Sequence, residues 1–190
     1  MPGNYRGVHL TAILAKTAER CIGQRLISHL QKKAFGQYQW AFTPKLNSRD
    51  LVTALVMTWI LAIATGKKIA AYLSDITSAF DRVSKDYLMA KLYAAGVGSV
   101  YLNFLNAYLQ PRRATVVVEG TMSDEIAIAD TVFQGTVLGP PLWNTYFHDV
   151  TQVAIQHEAE PAVFADDLNI FNRFSLDIIN RYIYVELLDC

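Results

Sequence analysis

AYLSDITSAFDRVSKDYLMAKL, residues 71 to 92, is the stretch from which the fold is read. The apolar run Ile69, Ala70, Ala71, Tyr72 and Leu73 leads into Asp75, and from Lys85 to Leu92 apolar residues return at the 3.6-residue spacing of a helix. The order is strand, carboxylate, tight turn, helix. A carboxylate at the carboxyl end of a buried strand is costly to desolvate unless it is paired, hydrogen-bonded or bound to a cation. A second acidic strand end follows: Ala162, Val163, Phe164 and Ala165 run into adjacent Asp166 and Asp167, and Leu168 to Phe171 is apolar again. This pattern predicts a hairpin with two acids at its tip. Taken singly, an aspartate at a strand end is a turn former or a helix cap. Taken together, the two acidic ends are candidates to converge on one or two hard cations, since Mg²⁺ is commonly held by one or two carboxylates plus substrate phosphates.

Length and composition set the outer bounds. At 190 residues the chain is one large domain or two small lobes, and with 52% apolar and 18% charged residues it is globular. Its two cysteines, Cys21 and Cys190, give no disulfide framework and no zinc spacing, which points to a reducing intracellular compartment, nuclear or cytoplasmic. No signal peptide opens the sequence. The most lipid-like stretch, Leu51 to Ala64, is shorter than the roughly 20 residues of a spanning helix, so it is read as a buried helix and no membrane partner is expected. Net charge is zero but unevenly placed. Residues 1 to 70 hold ten Lys or Arg against two acids, Glu19 and Asp50. That asymmetry fits a basic lobe facing a polyanion and an acidic lobe able to hold metal. The plain alternative for Lys32, Lys33, Lys67 and Lys68 is a solvated helix face.

In chain order, Thr11 is read as the cap of an amphipathic helix reaching about Phe35, with Ile13, Leu14, Ala18, Cys21, Ile22, Leu26 and Leu30 as its apolar stripe. QYQWAFTPKLNSRD, residues 37 to 50, is aromatic and then turn-rich, and its Lys45 and Arg49 flank a turn, a placement suited to phosphate or simply to a solvated loop. After Gly96 and Gly98 a second helix runs from about Val100 to Leu109 and stops before Pro111. Residues 112 to 130 alternate around Gly120 as a hairpin does. In VFQGTVLGPPLWNTYFHDV, residues 132 to 150, Gly135 and Gly139 allow close approach to a ligand, or form a plain glycine loop, before a helix opened by Pro140 and Pro141. One more helix is expected after Ser175.

A basic helical start, a strand ending in Asp75, a loop with Gln134 and a hairpin tipped by Asp166 and Asp167 resemble, in that order, the fingers and palm of a reverse transcriptase. The likeness is to the branch of non-LTR retrotransposons and group II introns. NYRG at 4 to 7 resembles that branch's opening block, and QYQWAF resembles its Gln-aromatic-Gly-Phe run. DITSAF, QGTVLGPPLWN and FADD look like its metal-binding strand, its Gln-Gly loop and its catalytic hairpin. The resemblance covers about residues 4 to 172. It implies an α+β polymerase right hand: fingers over residues 1–68, a palm with an antiparallel sheet backed by helices over 69–175, and a truncated segment over 176–190 with no thumb.

Residue by residue, the resemblance implies that Asp75 and Asp166 ligate two Mg²⁺ ions, or Mn²⁺ in their place, with Asp167 as a weaker or structural acid and the Ile76 carbonyl assisting. Phe80 is expected beneath the incoming sugar, excluding a 2′-hydroxyl. Gln134 and Gly135 are expected to contact the incoming nucleotide, Lys45 and Arg49 to grip its triphosphate, and Arg6 to meet template or the same phosphate. The implied partners are an RNA template, a DNA primer and a dNTP. The implied function is that of an RNA-directed DNA polymerase fragment. Its alternatives are a non-catalytic nucleic-acid-binding module or decayed remnant, and an RNA-dependent RNA polymerase. Gly7 stands where the family usually has Pro, and Gly139 where Ser is commoner. No primer-grip strand, thumb, endonuclease or RNase H region is read, so the chain is taken as a piece of a longer polyprotein or a decayed copy.

Overall fold

Glu19, Gly23, Leu26 and Leu30 are the residues of α1 (Ile13–Lys33) that are buried. The computed structural model describes residues 9–128 and 132–175; Arg6 with the NYRG stretch, and the segment 176–190, lie outside the described residues. The chain divides into two units, with boundaries after Gly36, Ile76 and His148.

In the first unit the stripe of α1 is rotated from the expected one. Ile13 and Leu14 are each 84% exposed. Ala12 rather than Thr11 occupies the N-cap, and no side chain caps it. The reason lies at Gly23, where a Cβ would meet Leu138 Cδ2 at 2.9 Å. A missing side chain there lets Leu138 seat against the helix, and that contact fixes the inward face. Helices α3 (Lys85–Ala94) and α4 (Ser99–Tyr108) pack on one another and bury Leu88, Leu92 and Leu105. Gly96, at φ +77°, ends α3 in the left-handed conformation that glycine adopts without strain. The expected hairpin is a broken ladder: β2 (Arg112–Ala114) pairs with β5 (Ile126–Ile128), and β3 (Val117–Val118) with β4 (Thr121–Met122). Ser123 patches the break, its hydroxyl accepting from Val116 N and its own amide donating to Val116 O. Glu119 and Gly120 both have positive φ, as a two-residue type I′ loop requires. Helix α5 (Gly139–Gln156) carries Pro140 and Pro141 in its first turn, where a missing amide hydrogen is harmless.

The second unit is built on a three-stranded antiparallel sheet in the order β1 (Lys68–Asp75), β7 (Asp167–Phe174), β6 (Glu160–Phe164). Helix α2 (Ser48–Ala64) lies on it, opened by a capping box. The Asn47 side chain accepts from the Arg49 and Asp50 amides, and the Asp50 side chain accepts from the Asn47 amide. Leu51, Ala162 and Phe171 form the core here, with Trp40, Leu55, Trp59, Ile69 and Phe164 packed around them. The Trp59 and Phe171 rings meet edge to face, 6.1 Å apart.

Two expectations are corrected in this unit. Helix α2 is not buried: of its residues only Leu51 and Ala62 are, while Val52, Val56, Met57, Ile60, Leu61 and Ile63 are exposed. The helix is apolar on every face, and a single three-stranded sheet covers one of them. Strand β1 is not a buried strand either; it is an edge strand with Tyr72 65% and Leu73 64% exposed. Among the described residues no helix is long and apolar enough to cross a membrane.

Candidate active site

At the carboxyl end of β1 the register places Asp75 opposite Asp167, the first residue of β7. Phe164 is paired with Asp167 as well, so Ala165 and Asp166 form a two-residue loop between β6 and β7. The predicted hairpin with acids at its tip is present, and the chain brings all three aspartates to one end of the sheet. Residues directly opposite in an antiparallel pair point to the same face. Accordingly Asp75 and Asp167 both line a cleft of about 410 Å³, whose other walls include Leu73, Asn169 and, from α2, Ser48, Leu51, Val52 and Leu55. Asp166, half-buried in the loop, is not among the lining residues. Two acids therefore share one side and the third stands beside them. Among the described residues no group of three or more His, Cys, Asp or Glu is gathered closely enough to hold a metal ion.

Because β1 is an exposed edge, desolvation is not what makes this arrangement costly. Asp75 and Asp167 are both exposed. The cost is the juxtaposition of two like charges across a strand pair, which is destabilising. Ile76 follows Asp75 directly and is half-buried.

A side chain that sequence reasoning passed over holds the loop. Gln39 is 6% exposed, and its Oε1 accepts from the Ala165 amide at 2.9 Å and the Ala41 amide at 3.0 Å, while its Nε2 donates to the Ala165 carbonyl at 3.2 Å. Lys45 and Arg49 are exposed, Lys45 with φ at 68° in the turn before α2 and Arg49 in the first turn of that helix. A cation at a helix N-terminus opposes the helix dipole, so Arg49 gains from any anion placed there.

Phe80, Gln134 and Gly135 belong to the first unit. Phe80 opens a 3₁₀ turn, Phe80–Arg82, half-buried and stacked on Trp143 with ring centroids 5.4 Å apart. Its carbonyl accepts from the Val132 amide at 3.3 Å. Gln134 and Gly135 are exposed. Gly135 has φ at +93°, and a Cβ there would lie 2.9 Å from the His9 carbonyl oxygen. Gly139 is equally confined, a Cβ meeting the Phe133 carbonyl at 2.8 Å and Thr136 Oγ1 at 2.9 Å. The close approaches at these glycines are made by the chain itself.

The loop is stapled on both sides. Thr136 Oγ1 donates to the Phe133 carbonyl at 2.7 Å and accepts from the Gly139 amide at 3.1 Å. Glu19, 5% exposed, accepts from the Val137 and Leu138 amides at 2.7 and 3.2 Å and so caps the approach to α5 from 118 residues away. Arg112 lies over the Phe133 ring at 4.2 Å and the Tyr108 ring at 4.7 Å. Burial pushes the Tyr108 phenol above its ordinary 10.0, and the charge of Glu19 adds to the effect while Thr136 and Arg112 oppose it. The signal for Glu19 was slight, one of two acids in a basic stretch; Gln39 lies in QYQWAF, whose likeness to a Gln-aromatic-Gly-Phe run was noted without a role for the glutamine.

A family model described as reverse transcriptase (RNA-dependent DNA polymerase) matches residues 1–184. The chain belongs to the reverse transcriptase family. The chain is 30% identical over 175 residues to the probable RNA-directed DNA polymerase from transposon X-element of Drosophila melanogaster, covering 90% of itself and 19% of that protein. It is also 30% identical over 173 residues to the probable RNA-directed DNA polymerase from transposon BS of the same organism, covering 88% of itself and 19% of the relative. Against the RNA-directed DNA polymerase from mobile element jockey of Drosophila funebris it is 26% identical over 176 residues, again with 90% and 19% coverage. The chain thus spans about a fifth of the length of these relatives. Among solved structures, apo telomerase from Candida tropicalis, truncated from its C-terminal domain, shares the fold with a TM-score of 0.56 at 12% identity, covering 83% of this chain and 34% of that one.

Proposed function

We propose that this chain is the nucleotide-adding part of an RNA-directed DNA polymerase of a non-LTR retroelement, which transfers a deoxynucleoside monophosphate to the 3′ end of a primer on an RNA template. The observation that carries the reading is Asp75 set opposite Asp167 at the end of β1, with Asp166 next to them. Every donor in that set is a carboxylate oxygen, the ligand type that hard divalent cations prefer, and two like charges in register are relieved by a cation between them. Mg²⁺ fits such a site, which leaves its remaining positions to phosphate and water.

Asp75 and Asp167 would hold the metal from their shared cleft, which favours a ligand role for Asp167 and not merely a structural one; Asp166, not gathered with them in the metal-free chain, would have to close in as the ion binds, with the Ile76 carbonyl assisting. When bound, two Mg²⁺ ions, or Mn²⁺, supply the charge stabilisation that an in-line phosphoryl displacement needs. Phe80, stiffened against Trp143, presents a fixed aromatic face that excludes a 2′-hydroxyl. Gln134 and Gly135, in a loop stapled by Thr136 and Glu19, offer a preorganised edge to the incoming dNTP. Lys45 and Arg49 grip its triphosphate, and Arg6 joins them or the template; lysine and arginine suit this task because they stay charged and donate several hydrogen bonds. In this reading the basic residues 1–68 serve as fingers and residues 69–175 as palm.

Primer extension on poly(rA)/oligo(dT) with Mg²⁺ and dTTP tests the reading, using a chimera in which this chain replaces the matching segment of the X-element relative. Extension by the chimera and none by its Asp75→Ala variant is the expected result. Bound template-primer without extension, alongside an active parent, would overturn it in favour of a non-catalytic binding module.

A further inference from the structure

The loop that carries Asp166 and leads into Asp167 has an unfavourable backbone. Ala165 has φ at 57°, in the left-handed region that a residue with a Cβ adopts at a cost, and such a residue persists where its surroundings over-determine it. Gln39 supplies that determination. One amide group meets both the N–H and the C=O of Ala165. The orientation of this amide is fixed by its own bonds, because Oε1 faces two N–H donors and Nε2 faces a carbonyl; the reverse would set donor against donor. Holding the Ala165 carbonyl also holds the peptide plane it shares with the Asp166 amide, and hence the direction in which the Asp166 side chain leaves the backbone.

Gln39 is itself anchored. The Trp40 amide donates to the Val163 carbonyl and the Val163 amide to the Tyr38 carbonyl, both at 2.9 Å, so residues 38 to 40 lie along the free edge of β6. The Gln39 carbonyl accepts from Thr43 Oγ1 at 3.0 Å. A buried amide, tied at its backbone to one strand of the hairpin and at its side chain to the tip, is built as a brace.

We propose that Gln39 is a positioning residue that sets the Ala165–Asp166 turn and, through it, the placement of the Asp166 and Asp167 carboxylates for metal. The metal half of this statement rests on the assignment of those acids above; the brace does not. Partners one shell removed from a metal typically alter its affinity by about tenfold or more when removed.

The test uses the full 190-residue chain with two readouts, amide hydrogen exchange at Ala165 and Mn²⁺ binding followed by the paramagnetic resonance of the free ion. Gln39→Met keeps the length and removes every hydrogen bond of the side chain. Gln39→Glu keeps the acceptor and loses the donor, and serves if the methionine variant fails to fold. Asn47→Ala, which removes the cap of α2, controls for simple loss of stability. For Gln39→Met, Ala165 exchange is expected to quicken by about tenfold and Mn²⁺ binding to weaken by about tenfold. For Gln39→Glu, Ala165 exchange stays near wild type while Mn²⁺ binding weakens. Asn47→Ala should leave Mn²⁺ affinity unchanged. Unchanged Ala165 exchange in Gln39→Met would overturn the brace, and faster exchange in that variant with unaltered Mn²⁺ affinity would overturn the positioning role. Faster exchange in Gln39→Met with no Mn²⁺ bound by wild-type chain would overturn the metal assignment and leave the brace standing.

Discussion

Asp75 and Asp167 are a poor pair for a sheet and a good one for a cation, and this conflict makes a prediction. Removing one charge should help the metal-free chain, so Asp75→Asn is expected to raise its unfolding free energy at low salt by about 0.2–1 kcal/mol, the size of a favourable cross-strand pair taken with the opposite sign. Added salt should shrink the gain, because both residues are exposed. In the same variant, Mg²⁺ should no longer raise the melting temperature. Urea unfolding with and without Mg²⁺ checks both halves, and a variant no more stable than wild type at low salt would contradict the repulsion. Tyr108 gives a second residue-scale prediction. Its phenol is pushed above the ordinary 10.0 by burial, with Glu19 adding to the effect, so the fold favours the neutral form. The stability from that preference is fully present below the unfolded pKa and is lost as pH rises through the higher folded one. Tyr108→Phe, which cannot ionise, should therefore move the alkaline unfolding midpoint upward, as circular dichroism between pH 9 and 12 would show.

The Gln134–Gly135 loop shows at the element scale why local readings stop where they do. QGTVLGPP signals a glycine loop and a helix start, and both are present. Thr136, within the stretch, takes the Gly139 amide at the helix start, but nothing local shows that Glu19, 118 residues away on α1, holds the Val137 and Leu138 amides of the approach. The inward face of α1 was misread for the same reason: Gly23 and Glu19 face Leu138 and its neighbours, and neither residue looks apolar in a stripe count. Asn47 with Asp50, by contrast, is a local capping box and readable from spacing alone. The FADD hairpin was also legible, since two acids at a strand end are a local signal, but Gln39, 126 residues from the Ala165 it holds, was not. Glu19→Ala leaves the Val137 and Leu138 amides without their acceptor and should cost about 1–3 kcal/mol. Chemical denaturation reads the loss, and faster exchange of those two amides would assign it to the cap; unaltered exchange would mean that another group takes over.

At the scale of the whole molecule, charge is the property on which the proposed template-primer would act. The first 70 residues carry ten of the 17 basic side chains and two of the 17 acids. If that segment meets the proposed template-primer, it does so largely by releasing condensed counterions, and affinity should then fall steeply and linearly in a plot of log K against log salt. Lys32 and Lys33 separate this reading from a plainer one. Both are exposed in the last turn of α1, where cations also complement the helix dipole. If they touch phosphate, the Lys32→Ala, Lys33→Ala double variant should flatten the salt slope by about 2, roughly one per contact, while weakening binding uniformly across template sequences. If they serve only the helix, stability should fall by less than about 1 kcal/mol per residue and the slope should stay where it was. Fluorescence anisotropy of a labelled template-primer across a salt series, with thermal unfolding of the same samples, separates the two, because counterion release changes a slope and helix stabilisation does not.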